Sequence, residues 1–465
     1  MVLVLTVVIL QSISFANYAL TTTTTNIIYG SAPYLTFDGG RTRVTNTEAL
    51  LGISLSDGRT FTPTTNNSSS PIVLPVAGQS FADIGMLVPT DTNSIALSSL
   101  IGTPYNYWGD DDGDGQGIDG ITATGSLNLS ITDRRGRAVA RNEVLTICYS
   151  PYKLTLSNSE GILKTRYGVP NESRFSAGNA TYYIKPKETP AVCFARPADL
   201  HQDIYNNPAI WDHSRGFLTQ SATPSSYGLN FPTTGANNLF FYLEIFGTNQ
   251  ALSWAPVSHG GITATMTNIP SSYNNYSSVR VTLTGPVATP SQWQSENPVG
   301  IDRPSLPQTF ELVGRNRRGN AVVKYGFVLK QWFVNRGNAW VNYSSMESWC
   351  NKIGGYRLPK LKDLTNASCR QSNTGACENY ANEMNALTAT PSSFANIFLR
   401  YIGAGFFTEW GRMPDYTGTN FVRREYLTSD KSSSNNQFFA VSGFDASVYN
   451  MVYTTGKTYG LCVYP

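Results

Sequence analysis

Trp349-Cys350, then Gly354-Gly355-Tyr356-Arg357-Leu358-Pro359, and far downstream Tyr459-Gly460-Leu461-Cys462-Val463-Tyr464-Pro465, are the stretches whose reading decides the fold. Ser344 and Glu347 stand in capping-box spacing, and Met346, Trp349, Cys350 and Ile353 follow at helical intervals, which predicts a short amphipathic helix. Gly354-Gly355 supplies the left-handed residue that ends it. Pro359 suits the first turn of a second short helix with Leu361 and Leu364 inward. Leu461 and Val463 alternate with Cys462 and Tyr464, as in a strand. A thiol on the first helix joined to one on the last strand would tie the ends of this module together, worth roughly 4 to 5 kcal/mol in the chain-entropy account.

With Phe406-Phe407-Thr408-Glu409-Trp410-Gly411 and Tyr426-Leu427-Thr428-Ser429-Asp430, these residues resemble the C-type-lectin-like domain at the tip of the intimin and invasin group of bacterial surface adhesins. The resemblance implies one disulfide from first helix to last strand, here Cys350 with Cys462. Residues 110–120 and 325–337 are similar to the enterobacterial adhesion-domain proteins associated with inverse autotransporters. The likeness is specific over 309–465 and looser over 28–308. Sugar-binding C-type lectins use a Glu-Pro-Asn or Gln-Pro-Asp tripeptide and a later Trp-Asn-Asp to hold calcium and sugar, and this sequence contains none of these. The protein-binding branch of the fold is the better match.

At 465 residues the chain has room for roughly two to four domains. Its 34 basic and 31 acidic side chains leave a formal charge of +3, which gives no reason to propose nucleic acid or an anionic membrane as partner. Six cysteines, an even number, fit an oxidising compartment. Their spacing favours Cys148 with Cys193, Cys369 with Cys377, and Cys350 with Cys462. Residues 2–10 are apolar and Ser14-Phe15-Ala16 has the small residues of a cleavage site, so 1–16 reads as a signal peptide, although no Lys or Arg precedes the apolar core. That run is too short to span a bilayer. No anchor motif is evident, so display at the surface of a Gram-negative cell would need an outer-membrane β-barrel partner or a larger parent chain.

The fold class expected is mostly β and multidomain: β-sandwich and immunoglobulin-like modules followed by an α+β C-type-lectin-like domain. Residues 17–27, with the run Thr21 to Thr25, read as a linker. From 28 to 232, short β-prone runs punctuated by Gly, Asn, Asp and Pro suggest a sandwich, with Leu127, Leu129 and Ile131 alternating inward. Residues 233–308 read as an immunoglobulin-like module, and Pro298, Pro304 and Pro307 mark the boundary before 309–465. Two runs echo one another, 132–139 and 315–322, each predicting a hairpin turn with glycine at the positive-φ position. After Cys377, Tyr380, Met384 and Leu387 predict one core-facing helix, and Phe394, Ile397, Phe398 and Tyr401 another.

The sharpest local signal is Asp110-Asp111-Asp112-Gly113-Asp114-Gly115-Gln116-Gly117-Ile118-Asp119-Gly120. Alternating carboxylates on a glycine-rich turn are what calcium coordination requires, and Asp110, Asp112, Asp114 and Asp119 are the candidate ligands. Ile121 stands where an EF-hand places its bidentate Glu, so the loop is of another kind. The embedded glycine spacing of a dinucleotide fingerprint is rejected, because adjoining aspartates would repel a pyrophosphate. Catalysis has little support. His201, His213 and His259 are scattered, no hydrolase elbow or zinc-protease motif is present, and Glu409 beside Trp410 reads as framework.

Twenty-six Tyr and eight Trp among Ser, Asn and Gly suit adaptable contact surfaces. In the loop 411–424, Arg412, Asp415, Tyr416, Phe421 and Arg423 are the expected receptor-binding residues, Met413 lying beside them. The expectation is a non-enzymatic adhesin binding a host cell-surface protein, or alternatively a glycan held on aromatic platforms. A third class, an enzyme of the formylglycine-generating type, shares the lectin-like fold but needs a reactive cysteine pair.

Overall fold

Alternation sets the long strands at the N-terminal end. In Ser126–Thr132, Leu127, Leu129 and Ile131 are buried while Asn128 and Ser130 are exposed, the period of a sheet covered on one face. The computed structural model describes residues 29–66, 70–115, 120–200, 207–248, 250–269, 277–433, 437–451 and 457–465. The expected signal peptide and linker lie outside them. The fold is mostly β, in several sheets, and the chain divides into two units.

The first unit comprises residues 1–75, 79–145 and 151–185. Its main sheet orders Ile72–Val73, Gly178–Lys185, Tyr152–Asn158, Ser126–Thr132 and Ser94–Ala96. The pairings are antiparallel except that Ile72–Val73 runs parallel to Gly178–Lys185. A smaller antiparallel sheet joins Glu172–Phe175, Gly161–Thr165 and Ile121–Thr124. Leu154, Tyr182, Ile184 and Leu163 are fully buried between such elements.

The second unit, residues 76–78, 146–150 and 186–465, is built on a large hydrophobic core, with a small separate cluster at Cys193, Phe194 and Leu218. Seven strands form its largest sheet, in the order Trp211–Asp212, Gly216–Leu218, Ala191–Pro197, Phe240–Phe246, Ser277–Thr284, Ile262–Ile269 and Val257–His259. Both expected boundaries, at 233 and 309, fall inside this unit. Ala191–Pro197 pairs with Phe240–Phe246 across the first boundary, and across the second Thr234–Ala236 pairs in parallel with Gln331–Asn335 and Ser253–Trp254 pairs with Gln308–Arg315, so each proposed cut would separate hydrogen-bonded strands.

The helix foreseen from Trp349-Cys350 runs Tyr343–Lys352 with Met346, Trp349 and Cys350 buried. Its cap is Asn342, whose side chain accepts from Ser345 N–H at 2.9 Å, and not the expected Ser344. Gly354 and Gly355 have φ of 121° and 82°, as their place at the helix end demands. Leu361–Leu364 is a short helix with both leucines buried. Leu461–Tyr464 pairs antiparallel with Gln331–Asn335, and Cys350 is bonded to Cys462. The other pairs are Cys148 with Cys193 and Cys369 with Cys377, so all six cysteines are joined.

Ala381–Leu387 is helical as expected, but residues 394–401 are not. Their backbone bonds go to distant partners: Phe398 N–H to Asp445 O, Leu399 N–H to Asn366 Oδ1, and Ser368 N–H to Ala395 O. The Asn396 side chain accepts from Val448 N–H at 2.7 Å and donates to Val448 O at 3.0 Å, as a strand neighbour would. Apolar spacing there serves burial without a helix.

Candidate functional site

Asp110, Asp112 and Asp114 converge in the first unit, their ligand oxygens all within 4.8 Å of one another. Asp110 Oδ2 accepts from Gly115 N–H at 2.8 Å, which curls the loop, and Asp112 Oδ2 accepts from Ser31 N–H at 2.7 Å. Asp111 points elsewhere, to Arg43 and the Tyr34 hydroxyl. Asp114 is only 4% exposed. Both its oxygens, Asp110 Oδ1, Asp112 Oδ1 and the Ser31 hydroxyl are buried without a hydrogen-bond partner. Asp119, the fourth expected ligand, lies outside the described residues. Two glycines make room for the carboxylates. A Cβ on Gly30 would overlap Asp112 Oδ2, and one on Gly168, at φ +94°, would overlap Asp114 Oδ2. Gly30 N–H donates to Val169 O at 3.1 Å, which draws these two segments together. Gly30, Ser31 and Gly168 carry no sequence signal, because only the tertiary fold brings them to the loop.

The expected receptor-binding residues divide. Arg412 and Arg423 both lay a guanidinium over the Phe444 ring, at 4.2 and 3.7 Å from its centroid. No described carboxylate pairs with either guanidinium. Asp415 is exposed. Tyr416 and Phe421 are corrections: each is buried and belongs to the core. Tyr416 is 2% exposed, its hydroxyl donating to Trp410 O at 2.8 Å and accepting from Ala198 N–H at 3.2 Å. Phe421 packs on Phe406 and Tyr426. Small polar neighbours in sequence suggested a solvent-facing loop, but the 3-10 turn Met413–Asp415 directs Tyr416 inward against Phe240 and Trp410. Phe444, which sequence reasoning missed, lies far along the chain from both arginines and shows no local signal.

Glu409 is fully buried on the helix Phe406–Trp410. Its carboxylate accepts from the backbone N–H and hydroxyl groups of Thr233 and Thr234, at 2.5 to 3.1 Å, and from Gly403 N–H at 2.8 Å. Burial pushes the Glu409 carboxyl above its ordinary value, and the donors oppose that push. With every oxygen engaged it has no face to offer a substrate, so it is framework. Close by, Arg400 and Asp199 form an ion pair of 2.6 Å with both side chains buried, Arg400 also donating to Glu409 O. Neither was foreseen, since the two residues stand 201 positions apart in the sequence. His259 is exposed with its ring edge-on to Phe310, and His201 lies outside the described residues.

No family model and no curated protein matches this chain. Two solved structures show a likeness. Invasin, described as a bacterial integrin-binding protein, is 13% identical with a TM-score of 0.33, over 75% of this chain and 52% of its own. Intimin in complex with Tir90 is 9% identical with a TM-score of 0.28, over 60% of this chain and 99% of the other. The chain thus spans about half the length of the invasin it matches. Neither likeness transfers a residue or a role.

Proposed function

We propose that the chain is a non-enzymatic bacterial surface adhesin whose C-terminal module binds a host-surface receptor. The observation that carries this reading is the Cys350–Cys462 bond from the helix Tyr343–Lys352 to the strand Leu461–Tyr464. It is the closure that the resemblance to the intimin and invasin tip implies. Export to an oxidising compartment accords with three disulfides. Display on a Gram-negative cell by an outer-membrane β-barrel partner or a larger parent chain belongs to the same reading. Among the described residues no helix is long and apolar enough to cross a membrane.

The contact surface we assign is Arg412, Arg423 and Phe444, with Asp415 beside them. Two guanidinium groups held over one ring and lacking a carboxylate are placed to meet an acidic or aromatic partner. Replacing Arg412 and Arg423 together by Ala in the full chain should weaken binding to epithelial cells by roughly 1 to 4 kcal/mol if they are hot spots. Near-UV circular dichroism should be unchanged.

One observation favours a second reading, a glycan-binding lectin. Trp340 is 60% exposed beside Tyr459, a flat aromatic face open to solvent. If Trp340→Ala abolishes binding to a glycan array and the double arginine variant leaves cell binding intact, the protein-receptor reading falls and the lectin reading replaces it.

A further inference from the structure

The acidic loop is unfinished as a piece of protein chemistry. Three carboxylates face one another at close range, and no described Lys or Arg pairs with Asp110, Asp112 or Asp114. Four of their six oxygens are buried without a partner, including both of Asp114. Buried charge without compensation is costly, and proteins hold it only where it is paired or coordinates a metal. The donors are all hard oxygens, which excludes the softer transition metals as preferred occupants.

We propose that Asp110, Asp112 and Asp114 hold a calcium ion, with the Ser31 hydroxyl at the same site. The assignment stands apart from the adhesin reading and survives its failure. Calcium accepts six to eight oxygens in a flexible arrangement, whereas magnesium demands a tighter octahedron and keeps several waters. A site offering several anionic oxygens and a hydroxyl on a glycine-rich bend suits the larger ion. The ion does more than neutralise charge. Gly30-Ser31 reaches the loop through Asp112, and Gly168 lies against Asp114. One ion therefore fastens three segments distant in sequence, and its loss frees the start of the first unit.

The test uses the full chain, stripped with EGTA and titrated with calcium chloride alone. Calorimetry should give one site per chain, and the melting temperature should rise and saturate with it. Trp108 packs against Gly115, so terbium at the site should show tryptophan-sensitised luminescence that calcium displaces. Asp114→Asn keeps the shape and removes one charge. It should weaken calcium binding about 100-fold or more, since even changes to groups that only orient a ligand cost roughly 10- to 100-fold. In EGTA that variant should melt no lower than the wild type, because carboxylate repulsion is relieved. Should it fail to fold, Ser31→Ala provides the same titration with a smaller loss. No heat and no luminescence at millimolar ion, an unchanged titration in Asp114→Asn, or tighter binding of magnesium than calcium would each overturn the assignment.

Discussion

Asp363 is 5% exposed and receives Arg357 Nη1 at 2.6 Å, Lys360 N–H at 2.8 Å and Gln331 Nε2 at 3.0 Å. Burial is the largest single influence on its carboxyl and raises its pKa, but these donors together outweigh burial and hold it below the ordinary value of 3.8. A folded pKa below the unfolded one means stabilisation that is complete above about pH 4 and lost as pH falls through the folded value. Arg357→Ala should cost roughly 1 to 3 kcal/mol at pH 7, toward the lower figure because Arg357 is itself 39% exposed. Urea melts at pH 7 and pH 3 check the sign: the gap between wild type and variant should narrow in acid, and a gap that stays constant refutes the account. Residues of this kind were only half legible. Arg357 and Leu358 were visible as a motif, yet Gln331, the other side-chain donor to Asp363, comes from the strand Gln331–Asn335. Tyr416 misled for the same reason, since its neighbours in sequence are polar while its neighbours in space are Phe240 and Trp410.

At the level of elements, local chemistry was read well wherever it alone decides the outcome. The two echoing runs form turns of one geometry. Asp133 N–H donates to Arg137 O at 2.9 Å and Asn316 N–H to Asn320 O at 3.0 Å, with Gly136 and Gly319 at φ of 80° and 82°. In each, the leading Asp or Asn side chain accepts two further N–H groups. The C-terminal helix, its glycine stop and the final strand were equally plain. The cap was misplaced by two residues because Asn and Ser both suit that role. Asn342→Ala should therefore cost about 1 kcal/mol in a denaturation midpoint, and Ser344→Ala close to nothing; the reverse ranking would restore Ser344 as the cap. Residues 394–401 failed because periodicity records which side chains are buried and not where the backbone bonds go. Strand pairings such as Thr234–Ala236 with Gln331–Asn335 leave no trace in either segment.

For the whole molecule, the decisive fact is a core in the second unit that ignores the boundaries composition suggested. Glu409 takes its donors from Thr233 and Thr234, Arg400 its counter-ion from Asp199, and the strand Gln331–Asn335 its parallel neighbour from 234–236. A fragment of residues 309–465 loses all three: Arg400 is left without the Asp199 carboxylate, a broken buried pair that costs about 3 to 5 kcal/mol, and Glu409 is left with Gly403 N–H but without its threonine donors. We expect that fragment to lack near-UV dichroism, and residues 186–465 to unfold in one cooperative transition; a well-folded 309–465 fragment would contradict this. The Cys350–Cys462 bond adds a property of another kind. It makes everything from 351 to 461 part of a covalent ring, and residues 412–423 lie on that ring. Traction on those residues reaches the rest of the chain by two routes, back to Cys350 or forward to Cys462 and across the sulfur bridge. The tension divides between two arms, and a protease that severs either arm once leaves residues 412–423 still attached.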